Sequence, residues 1–212
     1  MSTPTSAGRT PTLVAILVGL LLLGLMAAFA IGLPKAQGDE AGHAAEELTL
    51  TLPDTLPGGY VASDDPAAFT EGQLADQADD IAEQEQANRD YGNTVLPEAL
   101  GTSAETRTYV ANGTEAVFVQ AFQSEGGAFA PNSLPDPANS GGQAGTEMTA
   151  VGDGVCILTY GQAQAEGQAP PVGFSQCQVT EGEVTVQIGS SAVAAEDLVS
   201  VADDLLKTFE QD

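Results

Sequence analysis

Two cysteines and one histidine are all that this 212-residue chain offers for thiol and imidazole chemistry. Cys156 lies in "GDGVCILTYG" (152–161) and Cys177 in "GFSQCQVTEG" (173–182). His43 sits far upstream, in "PKAQGDEAGHAAEE" (34–47). A structural zinc takes four ligands, and two cysteines with one remote histidine do not supply them. A thiol nucleophile or a serine triad needs a base held beside it, and the histidine is placed in a linker. The sequence therefore predicts no metal site, no cofactor and no catalytic residue. It predicts instead a Cys156–Cys177 disulfide, a bond that persists in oxidising compartments outside the cytoplasm. Closing that loop contributes about 3 kcal/mol on chain-entropy reasoning. The alternative is two buried thiols in a cytoplasmic domain.

Carboxylates are the other abundant chemistry. The chain carries 30 acidic and 5 basic residues, for a net charge of −25. Every acid lies at or after Asp39, where Arg89, Arg107 and Lys207 are the only bases. Such a surface repels nucleic-acid phosphates, so DNA or RNA binding is excluded. Asp76, Asp79, Asp80 and Glu83 fall on one expected helix and read as a solvated face. Asp64, Asp65 and Asp136 show no twelve-residue calcium-loop pattern. Nucleophile-elbow, Walker, dinucleotide and zinc-protease motifs are absent from the sequence. A glycan hydrolase working through two facing carboxylates is the enzymatic alternative. With no tryptophan and 4 tyrosines, the chain is poor in sugar platforms.

Which compartment holds these groups depends on the amino-terminal segment. Leu13 to Leu33 carries no charge. At ~1.5 Å per residue it reaches about 31 Å as a helix, the hydrocarbon thickness of a bilayer. The expectation is one transmembrane helix at 13–33, a cytoplasmic tail at 1–12, a linker at 34–47 and an extracytoplasmic domain at 48–212. Arg9 before the segment gives it a weak cytoplasmic-in orientation, and Lys35 follows it. Signal-peptide cleavage after Ala28-Phe29-Ala30 is the competing reading. Gly24, Ala28 and Gly32 form a small-residue stripe through which two such helices could pack as a weak homodimer.

The elements that position the cysteines follow from hydrophobic period. Leu48, Leu50 and Leu52 alternate with threonines as a half-buried strand. Residues 70–92 are helical, with Leu74, Ala78 and Ile81 as a narrow stripe and Gly92-Asn93 as the stop. Residues 105–123 form a hairpin about Asn112-Gly113, with Val117, Val119 and Ala121 on one face and Phe118, Gln120 and Phe122 on the other. A long loop at 124–145 leads to a strand at 155–160, and a second loop at 161–172 leads to a hairpin at 173–189. With Glu181-Gly182 as its turn, Val179 would face Val184 and Cys177 would face Val186. Leu198, Val201, Ala202, Leu205 and Phe209 mark a closing amphipathic helix. The expected fold is α+β: the amino-terminal transmembrane helix, then a sandwich of an antiparallel sheet with about two helices.

The closing stretch "GEVTVQIGSSAVAAEDLVSVADDLLKTF" resembles the carboxy-terminal end of PsbP/Mog1-like domains, which occur in membrane-anchored exported proteins of actinobacteria. That resemblance implies a binding or accessory protein rather than a catalyst, and it carries over no functional residue. The functional expectation is a single-pass membrane protein of the bacterial cell envelope. It would present a non-catalytic domain to an envelope protein partner, with loops 124–145 and 161–172 as the contact regions.

Overall fold

The computed structural model describes residues 48–70, 74–127, 129–131, 133–134, 145–162 and 168–209. Eight strands form one sheet: β1 (Thr55–Leu56), β2 (Tyr60–Ala62), β3 (Ala104–Ala111), β4 (Glu115–Gln123), β5 (Thr146–Val151), β6 (Gly154–Tyr160), β7 (Val172–Glu181) and β8 (Val184–Ser190). Their order is β1-β2-β3-β4-β8-β7-β6-β5, and every neighbouring pair is antiparallel. Helix α1 spans Ala78–Leu100 and helix α2 spans Ala195–Phe209.

Period-two alternation divides the sheet residues into two faces. One face carries Tyr109, Val117, Val119, Ala121, Cys156, Cys177, Val179, Val186 and Ile188, all buried. Helix α2 lays Leu198, Val199, Ala202, Leu205 and Leu206 on it, joined by Leu52, Leu56 and Tyr60 from the chain's entry into the domain. The helix starts with Glu196 and Asp197 and ends near Lys207, matching charge to the helix dipole at both ends. At the other face, a small second core gathers Ala68, Phe69 and Val110 with Leu74, Ala78 and Ile81 beside β2 and β3. Beyond that core, residues 124–127 and 129–131 border the second face, and the other described residues leave it open.

The expected transmembrane-plus-sandwich fold is corrected here. No helix among the described residues is long and apolar enough to cross a membrane. The β-structure is a single eight-stranded antiparallel sheet, of which the described residues close one face and leave much of the other uncovered. The segment 13–33, its stripe Gly24, Ala28 and Gly32, and the linker 34–47 lie outside the described residues.

Three local features differ from the sequence reading, the last a strand where it assigns no element. Helix α1 does not stop at Gly92-Asn93 but runs on to Leu100, where Gly101 (φ 68°) ends it. Gly92 and Asn93 serve docking instead. A Cβ on Gly92 would lie 2.5 Å from Thr106 Cγ2, so only glycine lets the helix approach β3. Asn93 Oδ1 accepts the N–H of Thr106 at 2.7 Å, satisfying a part of β3 that the short strand β2 does not reach. Second, the β7–β8 turn is Gly182-Glu183, with Gly182 at φ 57°. Val179 then faces Val186 and Cys177 faces Ile188, two residues along from the expected pairing but on the same face. Third, "TEMTAV" at 146–151 is strand β5, paired with β6. Its alternation is weak because it is an edge strand with solvent on one side.

Candidate binding face

Cys156 and Cys177 are direct partners across β6 and β7, with Cα atoms 4.0 Å apart, and they form a disulfide. Both are fully buried beneath α2. The bond ties two neighbouring strands at the centre of the closed face; its role there is structural.

Two of the three bases in the domain are also structural. Arg107, on β3, is buried. Its Nη2 donates to Asp64 Oδ1 at 2.9 Å, and its Nη1 donates to the carbonyls of Leu52 and Pro53 at 3.1 and 3.0 Å. Arg89 reaches across from α1, donating to Asp64 at 2.7 Å and to Glu105 at 3.1 Å. Glu105 in turn accepts the N–H of Leu52. Tyr109 donates its hydroxyl to the Pro53 carbonyl at 2.8 Å, and burial raises that phenol well above its ordinary value. The cluster clasps segment 52–54 and α1 onto one end of the sheet. Burial alone would raise the Asp64 carboxyl, but the bonds from Arg107 and Arg89 outweigh it and hold it below the usual carboxylate range. Lys207, the third base, is exposed at 60% and pairs with Asp204. An anionic ligand therefore finds no cluster of bases to receive it.

The acids singled out in the sequence are dispersed. Asp64 belongs to the arginine clasp, and Asp65 caps a short helical turn by accepting the Ala67 N–H at 2.9 Å. Asp136 lies outside the described residues. No group of three or more metal-ligating side chains occurs among the described residues. Asp76, Asp79, Asp80 and Glu83 lie at the start of α1 and just before it. A cavity of about 530 Å³ near the start of α2 is lined by two acids, Glu147 and Glu196. Glu147 there accepts the Tyr160 hydroxyl at 2.6 Å.

What the sequence reading missed is the open face. Its residues come from six strands: Thr106 and Thr108 (β3), Phe118 and Gln120 (β4), Gln187 and Gly189 (β8), Phe174, Gln176 and Gln178 (β7), Ile157 and Thr159 (β6), and Met148 (β5). The charged residues of these strands are Glu105, Arg107, Glu115, Glu147 and Glu181, and register puts every one on the opposite face. An uncharged sheet face in so acidic a chain is not what solvation alone would produce. Gln120, Gln187 and Gln178 stand side by side across β4, β8 and β7. Gln187 Nε2 donates to Gln178 Oε1 at 3.0 Å. Phe118 is 50% exposed although β4 is a central strand. Beside it, the tip of the Phe174 ring comes close over Gly189, where a Cβ would meet the ring's Cζ at 2.9 Å. A groove of about 270 Å³ runs between Phe118 and Phe174 over Gln120, Gln176 and Gln187. A second hollow, of about 530 Å³, shares Gln176 and Gln187 and is bounded by Phe129, Ala130 and Pro131. Thus the described part of loop 124–145 contributes a wall to this face. Loop 161–172 is described only in part, and its end leads into β7. The readable signal was the run of uncharged polar and aromatic residues at alternate positions of β4 and β7.

No family model matches the chain, and no solved structure matches it. The chain is similar to the BrkA autotransporter of Bordetella pertussis (strain Tohama I), with 31% identity over 196 residues. That alignment takes in 83% of this chain but 18% of the autotransporter, so the chain spans less than a fifth of the relative's length.

Proposed function

We propose that this chain carries an extracytoplasmic, non-catalytic binding domain of the bacterial cell envelope, and that the open face of its sheet is the contact surface. The observation that carries this reading is the uncharged face itself, with half-exposed Phe118 and the glutamine row at its centre. Large exposed apolar groups rimmed by polar ones mark interaction surfaces. Location outside the cytoplasm is supported by the Cys156–Cys177 disulfide, the uncharged stretch 13–33 ahead of the domain, and similarity to a protein described as an autotransporter.

The test has two arms. Intact cells are treated with a membrane-impermeant maleimide, before and after reduction under denaturing conditions. Two thiols that appear only after reduction support the extracytoplasmic reading; thiols already free, and reached only after lysis, overturn it. Separately, a photo-crosslinking residue is placed at Phe118 and, as control, at exposed Tyr91 of α1. Products from 118 alone support the face, and equal products from both positions remove it.

A hydrolase is the second reading, favoured only by Glu147 and Glu196 sharing one cavity. Release of reducing sugar from cell-wall glycan that Glu196→Gln abolishes would establish it.

A further inference from the structure

Resting on that reading of the open face, we infer that its ligand is a neutral, extended glycan. Charge comes first. The chain's 30 acids would repel an anionic polymer, and no base stands on this face to attract one. A cationic ligand would seek the carboxylates, which lie elsewhere. The complementary ligand is uncharged and rich in hydrogen-bonding groups.

The side chains narrow this further. A glutamine amide presents a donor and an acceptor side by side, matching the paired hydroxyls of a sugar ring. Gln120 and Gln187 place that pair on neighbouring strands, at a spacing of about 4.8 Å, while Gln178, accepting from Gln187 and donating to the Gly127 carbonyl, holds the Gln187 amide in place. That spacing is close to the advance of one sugar unit in an extended chain laid across the strands. The side-chain amides of Gln120 and Gln176 make no hydrogen bond among the described residues, so they are available to a ligand. Phe118 and Phe174 flank the groove, and an aromatic ring is the kind of flat apolar surface on which the C–H side of a sugar stacks. Gly189, lacking a Cβ, is the residue that leaves room for the Phe174 ring there. A peptide would be a weaker match, because the groove crosses the middle of the sheet rather than an edge where backbone pairing would hold a strand.

The experiment titrates the full chain, kept in a non-glycosidic detergent, with neutral hexasaccharides of β1,4-linked glucose, α1,4-linked glucose and mannose, and with polygalacturonate as the charged comparison. Saturable binding of a neutral hexasaccharide, no binding of polygalacturonate, and a tenfold or greater loss in Phe118→Ala and Gln187→Ala are expected. Each variant is checked for an unchanged thermal midpoint. Gly189→Ala, which pushes Phe174 off the groove, should weaken binding in the same way. Binding that survives all three variants overturns the inference. So does the absence of neutral-glycan binding when crosslinking from position 118 captures a discrete protein; that outcome keeps the binding face and replaces its ligand. No glycan binding and no crosslink from 118 overturns both.

Discussion

Replacing Arg107 with methionine would isolate what a buried guanidinium does for this fold. Methionine keeps much of the stem but removes the bonds to Asp64 and to the carbonyls of Leu52 and Pro53. Asp64, whose side chain is 8% exposed, is left with Arg89 alone. Removing one partner of a buried ion pair costs about 3–5 kcal/mol, because the other charge stays buried. In a domain of this size each kcal/mol moves the midpoint by about 2–4 °C, so Tm falls by about 6–20 °C. Urea unfolding with an unchanged slope reads the loss directly. The pH dependence adds a sharper check. Because the folded carboxyl of Asp64 is held low, its contribution is present above the unfolded value of about 4 and is lost as pH falls through the folded value. The wild-type protein should lose stability in acid faster than the variant, so the gap between them narrows from about pH 7 to about pH 3. A loss below about 1 kcal/mol at neutral pH, within the range of ordinary surface changes, would refute the reasoning. A gap that does not change with pH would refute it equally.

Three further outcomes follow from the packing. Changing Cys156 and Cys177 together to alanine should cost about 3 kcal/mol in urea unfolding, on the loop-closure model; because the sulfurs are fully buried, reductant alone should expose them slowly unless denaturant is added. Gly92→Ala gains about 1 kcal/mol of helix propensity, yet overpacking against Thr106 costs about 1–3 kcal/mol, so the net should be destabilising. Adding Thr106→Ser removes the clashing methyl and should restore the midpoint measured by differential scanning fluorimetry. Leu205→Ala, at a position of α2 that is 1% exposed, should cost about 2–5 kcal/mol, read by urea unfolding.

Much of the closed face was legible because burial writes a period into sequence. The alternation at Val117, Val119 and Ala121, the Cys177–Val179–Val186 side of the second hairpin, and the stripe Leu198–Val201–Leu205 all recur in the structure where period predicts. The turn at Gly182 and the length of α1 were not legible. A one-residue shift of a turn leaves the same residues facing inward, so the hydrophobic pattern does not choose between registers. At Gly92-Asn93 the local stop signal lost to a tertiary contact: the unpaired edge of β3 takes the Asn93 side chain, and Thr106 demands a glycine there.

The open face shows the division most clearly. Sequence alone determined that the domain would be acidic, poor in imidazole and thiol chemistry, and built of alternating strands, since composition and period are properties of the chain. It placed Phe118, Gln120 and Phe122 on one side of β4. It did not say that β8 and β7 would follow β4 in the sheet and bring Gln187 and Gln178 into one row with Gln120. Residues some sixty positions apart become neighbours only when strand order is chosen. That choice is made by the whole core beneath α2, where Cys156, Cys177, Val186 and Ile188 must pack together before any pattern on the outer face exists.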